Sequence, residues 1–426
     1  MAQNIKAIVP ERIFTSLGSG YEYGKAVLLD GKEIIDIISV SNIHEGIERY
    51  DYKGCTLLPG LIDTHCHLED WVAPMCLSYG ITTIRDTGND LNWILAKREE
   101  MEKPEALGPS ILCCGPVLDG IKYVHPDISW GIAKDEDMPL AIEYLQSRKV
   151  DAIKLYVGLD LKKIQIAVEE CRKRDLHLLG HFQGNIKLFD AVKAGVPEVE
   201  HFFEVPSFYS EDIILEIIKR GTWVVPTQMV WEGPLVYQSK KQEALKYMDF
   251  IPEGKIKKYL RKFWENINKD DPNLEKLKAF CKNNREYIKA MVRLGGKIAP
   301  GTDAPAQLSF PGLSFFDELN VYSECGMPNR DVLKCATVNA AELLGINGLT
   351  GTIEKGKKAD ILIVDGDPLN DLSGLRAIKC VYKKGHMHLP HEVLKKTNPA
   401  SMATDQLPDI MEAAVEWCDW KQKYLK

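Results

Sequence analysis

The chain has 426 residues, 45% of them hydrophobic, and a formal net charge of −7 at pH 7. That length accommodates one large domain beside a smaller one, with a sizeable core. The acidic balance leaves no basic footprint for nucleic acid, and no apolar run approaches the roughly 20 residues that a membrane helix needs.

The first elements are short β signals. Lys25-Ala26-Val27-Leu28-Leu29 and Glu33-Ile34-Ile35-Asp36-Ile37-Ile38 flank a turn at Asp30-Gly31, which predicts a hairpin. The next run, Leu58-Pro59-Gly60-Leu61-Ile62-Asp63-Thr64-His65-Cys66-His67, closes an apolar stretch with two histidines one residue apart. In a strand, residues i and i+2 point to the same side. The two imidazoles therefore converge at the strand's end, where neutral imidazole is a common metal ligand. Cys66 points the other way and reads as core.

Further along, Val150-Asp151-Ala152-Ile153-Lys154-Leu155-Tyr156-Val157 places Lys154 inside a strand pattern. An ammonium is costly to bury there, so this lysine is expected to be exposed, paired or deprotonated. His181 then closes His177-Leu178-Leu179-Gly180-His181, His201 follows Val199-Glu200, and Asp303 follows the run that ends in Gly301-Thr302. Helix-like stretches lie between these short runs. Parallel strands alternating with helices make an α/β fold. When eight such units close into a barrel, residues at the C-terminal strand ends gather into one site.

Between Val225-Pro226-Thr227 and Asp303 lies a long, helix-rich, aromatic stretch. Aromatic residues at helical spacing read as core. Its first portion, Met229-Val230-Trp231-Glu232, directly follows a strand and is the part expected to reach a pocket as a lid. Strand patterns return in Asp360-Ile361-Leu362-Ile363-Val364 and Ile378-Lys379-Cys380-Val381-Tyr382, and a second His-x-His follows at His386-Met387-His388. From about Lys395, Ile410, Ala413, Ala414 and Trp417 recur at helical spacing, suited to packing on the barrel or on another subunit. Eleven cysteines, odd in number and without a Cys-x-x-Cys pair, fit reduced thiols. The start of the chain lacks a charged segment followed by an apolar one, so a cytoplasmic protein is expected.

Each candidate also has a structural reading when taken alone. His65 and His67 can be polar strand-end residues, Lys154 can snorkel to solvent, His181 and His201 can be core histidines, and Asp303 can cap a turn. The full set in order is more specific. Pro59-Gly60-Leu61-Ile62-Asp63-x-His65-x-His67, Ile153-Lys154, His181 followed by Gly184, Glu200-His201 and Gly301-Thr302-Asp303-Ala304 together resemble the amidohydrolase superfamily. The likeness continues in Ala336-Thr337-Val338-Asn339-Ala340-Ala341 and in Gly351–Leu362, and covers nearly the whole chain. It points to the branch of imidazolonepropionase-like enzymes and metal-dependent Xaa-Pro dipeptidases.

The resemblance implies a (β/α)8 TIM-like barrel over residues 56–346. It also implies a small β-sandwich from residues 1–55 and 347–394, and leaves a helical extension at 395–426. It implies two divalent metal ions, with His65, His67 and Asp303 on one, His181 and His201 on the other, and Lys154 between them as a carbon dioxide-derived carbamate. Zinc is the default from such ligands, with manganese or cobalt as alternatives. Two metals about 3.5–4 Å apart acidify a bridging water and polarise a carbonyl, and Asp303 would carry the proton to the leaving amine.

His125 lies in the loop after the third strand, where relatives place a histidine near the scissile carbonyl, although its neighbours here differ from the usual Gly-rich version. It and Tyr156 are the candidate substrate contacts. Arg85, Lys122, Arg285 and Arg293 are candidates for a substrate carboxylate, Arg85 reading better as a structural ion-pair partner. The implied reaction is hydrolysis of a carbonyl–nitrogen bond in a small molecule: an Xaa-Pro dipeptide, an N-acyl amino acid or a cyclic amide. Deamination at a mononuclear site, ester or lactone hydrolysis, and a non-catalytic binding role stand as alternatives. Family members are often oligomers, which suggests a homo-oligomer.

Overall fold

A computed structural model of the chain describes residues 5–122, 125, 127–182, 187–202, 209–254, 257–258, 261 and 272–402. Strands β1 (Ile5–Ile13), β2 (Glu22–Tyr23), β3 (Lys25–Asp30), β4 (Glu33–Ser39) and β5 (Glu48–Pro59) come first. The central strands are β6 (Leu61–Cys66), β7 (Ile81–Asp86), β8 (Ser110–Cys113), β9 (Val117–Asp119) and β10 (Ser129–Gly131). They continue with β11 (Ala152–Leu155), β12 (His177–His181), β13 (Glu198–Glu200) and β14 (Trp223–Val225). Last come β15 (Ile361–Val364), β16 (Ile378–Lys383) and β17 (His386–His388).

The two ends of the chain meet in one eight-stranded sheet, ordered β17-β16-β15-β5-β1-β3-β4 with β2 beside β1. The expected hairpin is β3 and β4. Asp30 pairs with Glu33 across a two-residue loop in which Gly31 takes φ 56°, a conformation that glycine adopts without steric cost. Strand alternation sorts the apolar residues onto two faces. Ala7, Val9, Ala26 and Leu28 form one cluster, while Ile8, Val27, Leu29 and Leu57 join another. Leu58, Leu362 and Val381 instead enter the main core, so the same strands fasten this sheet to the rest of the molecule.

The chain passes from the terminal sheet into the body at Gly60. Its N–H donates to the Asp360 carbonyl at 2.9 Å, and a Cβ there would lie 2.1 Å from Thr82 Oγ1. Only glycine permits so close an approach.

The body is α/β. The parallel sheet β6-β7-β8 and the parallel sheet β10-β9-β11-β12-β13-β14 alternate with helices, as the strand–helix pattern predicts. Every residue of β6, β7 and β11 is buried, which explains their near-continuous apolar runs. The segment 297–304 lies between the two sheets. Ala299 N–H donates to Val224 O at 3.2 Å, Thr64 N–H to Pro300 O at 3.0 Å, and His67 N–H to Ala304 O at 2.8 Å. This segment carries Asp303 to the C-terminal end of β6.

Among the described residues no helix is long and apolar enough to cross a membrane. The ten described cysteines are all unpaired and buried. The helix Pro390–Thr397 packs Val393 into the core, while Ile410, Ala413, Ala414 and Trp417 lie outside the described residues.

Candidate metal centre

Four strand ends and the 297–304 segment converge on one cluster. His65 lies in β6 and His67 just beyond it; Lys154 lies in β11, His181 ends β12, and His201 follows β13. Asp303 arrives from the 297–304 segment. Its carboxylate Oδ1 stands 3.3 Å from His65 Nε2 and 3.1 Å from His67 Nε2, and its Oδ2 stands 3.8 Å from His201 Nε2. The ligand atoms of His65, His67 and Asp303 all lie within 4.8 Å of one another. His181 joins through its ring, 4.6 Å from that of His201.

Asp303 and His201 both hold left-handed backbone, with φ 53° and 60°. Such conformations cost a non-glycine residue on the order of 1–3 kcal/mol and persist only where surroundings impose them. Hydrogen bonds impose them here. Asp303 N–H donates to His65 O at 2.7 Å and His201 N–H to Val225 O at 2.9 Å. Asp63, one alternation before His65, accepts from the Thr302 hydroxyl at 2.6 Å and from the Thr302 N–H at 3.1 Å, which fixes the turn before Asp303. Gly301 makes room for this: a Cβ there would stand 2.6 Å from both His65 Cβ and Val225 Cγ1. Gly301→Ala should therefore displace His65, and is expected to lower metal content at unchanged expression. Full metal loading of that variant would contradict the placement.

The second ring nitrogens are also occupied. His67 Nδ1 donates to Gly88 O at 3.1 Å, His65 Nδ1 to Glu200 Oε2 at 2.5 Å, and His201 Nδ1 pairs with the Thr227 hydroxyl. Those partners turn the Nε2 atoms of all three rings toward Asp303, the usual device by which outer groups orient histidine ligands.

The electrostatics agree. Burial pushes the Asp303 carboxyl up, but His65, His67 and His201 outweigh it and hold it well below the usual carboxylate range. Burial, reinforced by His181, lowers His201 well below the ordinary imidazole value. Burial also lowers His65, but Glu200 and Asp303 outweigh it and raise this imidazole.

Lys154 is 2% exposed; its Nζ has no hydrogen-bond partner among the described residues and stands 3.8 Å from Glu200 Oε1. A buried ammonium in that state is unfavourable. Conversion to an anionic oxygen ligand would remove the penalty, so the donor set of imidazoles, one carboxylate and this lysine fits divalent metal.

The two candidate substrate contacts sit beside the cluster. The Tyr156 ring is 4.9 Å from that of His181, and its hydroxyl is 3.2 Å from His125 Nε2.

The Met229–Glu232 segment departs from the expected lid. Met229 belongs to the main core, Val230 and Trp231 pack with Leu277 and Cys281, and Glu232 binds Arg285 at 2.5 Å. Among the described residues near the start of this region, Thr227 touches the centre, through His201. Arg285 is held by Glu232 and Glu324 and Arg293 by Glu211, so both are committed to ion pairs.

Arg85 is the structural ion-pair partner its position suggested. It is 1% exposed, pairs with Glu198 through both terminal nitrogens, and donates from Nε to Thr64 O at 2.8 Å. His177 Nε2 contacts Glu198 Oε2 at 2.5 Å. Burial raises the Glu198 carboxyl, but Arg85 and His177 outweigh it and hold it well below the usual range. A carboxylate depressed by folding stabilises above its unfolded pKa of roughly 4.3, and that stability is lost as pH falls toward the folded value. The melting temperature is therefore expected to drop steeply below about pH 4, and less steeply in Glu198→Gln. Equal slopes would contradict the assignment.

Glu198 and Glu200 were legible only in part. Two acids at i and i+2 in an apolar strand signal inward carboxylates that need a cation, and Arg85 in β7 supplies it.

Comparison with known proteins finds relatives of the chain. A family model described as "Amidohydrolase family" matches residues 56–387. The chain is 31% identical over 424 residues to a 5-methylthioadenosine/S-adenosylhomocysteine deaminase of Saccharophagus degradans, covering 88% of this chain and 85% of that protein. It is 25% identical over 232 residues to an ochratoxinase of Aspergillus niger, 53% of this chain but only 41% of that protein. A solved Xaa-Pro dipeptidase with methionine in its active site shares the fold, with a TM-score of 0.72 at 21% identity over 90% of this chain and 99% of the other.

Proposed function

The chain belongs to the amidohydrolase family, and from that premise we propose that it hydrolyses a carbonyl–nitrogen bond in a small molecule with two divalent metal ions. The observation that carries this reading is the buried convergence of His65, His67, His201 and Asp303, with His181 beside it. In it, His65, His67 and Asp303 would hold one ion, His181 and His201 the other, and Lys154, once carboxylated, would supply an oxygen ligand shared by the two; zinc is the first choice, manganese or cobalt the alternatives. Such ions supply Lewis acidity, acidifying water and polarising a carbonyl.

The chain's own residues do the rest. Asp303, held ionised by its three histidine neighbours, takes a proton from the attacking water and delivers it to the leaving nitrogen. Tyr156 and His125, linked at 3.2 Å, stand on the His181 side as hydrogen-bond donors to the substrate carbonyl. In the same reading the parallel strands of both sheets and the 297–304 segment belong to the barrel of residues 56–346. Residues 1–55 and 347–394 form the companion domain.

Xaa-Pro dipeptides and N-acyl amino acids are the first substrates of choice. The fold shared with an Xaa-Pro dipeptidase supports that class, as does the burial of Lys154 beside Glu200. The deaminase relative favours a second reading, deamination of a purine-like base at a single metal. A panel of Xaa-Pro dipeptides, N-acyl amino acids, lactones and adenosine derivatives separates the two. Turnover of the first two classes is expected; ammonia release from the adenosine derivatives alone would establish the second.

A further inference from the structure

One of the buried acids that the mechanism above leaves unused touches a ligand of the centre. Glu200 is 1% exposed and lies one residue before the ligand His201, yet its carboxylate turns toward a different ligand. Its Oε2 accepts from His65 Nδ1 at 2.5 Å, while its Oε1 lies 3.4 Å from Arg85 and 3.8 Å from Lys154 Nζ.

Two facts set Glu200 apart from an ordinary ion-pair member. Arg85 already has a close, two-point partner in Glu198, so its longer approach to Glu200 is secondary. The shortest contact of Glu200 is the histidine. His67 and His65 are then treated differently: the first gives its Nδ1 proton to a neutral carbonyl, the second to a carboxylate. A carboxylate on Nδ1 fixes the tautomer, locks the ring plane and strengthens Nε2 as a donor to metal.

We propose that Glu200 is a positioning residue for the metal centre: it selects the Nε2-ligating tautomer of His65, with Arg85 and Glu198 fixing its own place. Arg85 spans the interior to do so. Its Nε holds Thr64 O, next to His65, while its terminal nitrogens hold β13, so ligand and orienting acid are tied to one guanidinium. His177, partly exposed on β12, closes the far end of the chain against Glu198.

This inference rests on the metal-centre reading, and its test keeps the two apart. Glu200→Gln keeps the shape of the side chain but offers an amide that can donate as well as accept. Affinity for zinc, measured by competition with a chromophoric chelator, is expected to fall roughly 10–100-fold, while apo-protein folding, followed by circular dichroism, is retained. Unchanged affinity in Glu200→Gln beside a metal-binding wild type would overturn the positioning role. A wild type that binds no zinc would instead overturn the metal-centre reading.

The wild-type apo-protein gives a second readout that needs no variant. In 15N spectra of histidine-labelled protein, a proton is expected on His65 Nδ1, shifted far downfield by the carboxylate. A His65 Nδ1 that carries no proton would overturn the proposal, whether or not the variant folds.

Discussion

Asp303→Asn is expected to lower kcat by roughly 10²–10⁴-fold, the range of a positioned general acid–base. The argument is local. Asparagine keeps an oxygen facing His65 and His67, where Asp303 Oδ1 now lies 3.3 and 3.1 Å away, so the shape of the site survives. What is lost is a carboxylate that three imidazoles hold ionised against its burial. An amide neither accepts nor returns the proton. Steady-state kinetics on a turned-over dipeptide would show the loss mainly in kcat. A decrease under tenfold would mean that another group moves the proton.

Arg85→Ala carries the largest expected effect on stability, about 3–5 kcal/mol, because it strands two buried carboxylates. Glu198 and Glu200 are 0% and 1% exposed, and among the described residues no other cation makes close contact with both. The double variant Arg85→Met/Glu198→Met removes a charge of each sign and should cost less than the single one. Chemical denaturation of the three proteins decides this. A single variant within 1 kcal/mol of wild type would show that water already reaches these groups.

Much of the site could be read from the chain alone because its pieces are short and strand-based. His65, Lys154, His181 and His201 stand in or directly after short apolar runs, and parallel strands put such ends on one side. The hairpin at β3–β4 and the strands β15 and β16 fell where alternation and turn residues placed them. What the pattern did not show is three-dimensional. The Glu200–His65 and Asp63–Thr302 contacts join residues 135 and 239 positions apart. Spacing carries no signal for such pairs.

The lid expectation failed for a related reason. A segment that follows a strand can turn toward the pocket or back onto a helix, and the apolar surface of the helix Pro272–Arg293 drew Val230 and Trp231 to itself. Periodicity is the same in either case.

The most direct test is the metal content of protein purified without chelator, wild type beside Lys154→Ala. The reading predicts about two divalent ions per chain in wild type, with loss of metal and of dipeptide hydrolysis in the variant. One ion per chain, unaffected by Lys154→Ala, would contradict the bridged pair and leave a single-metal site.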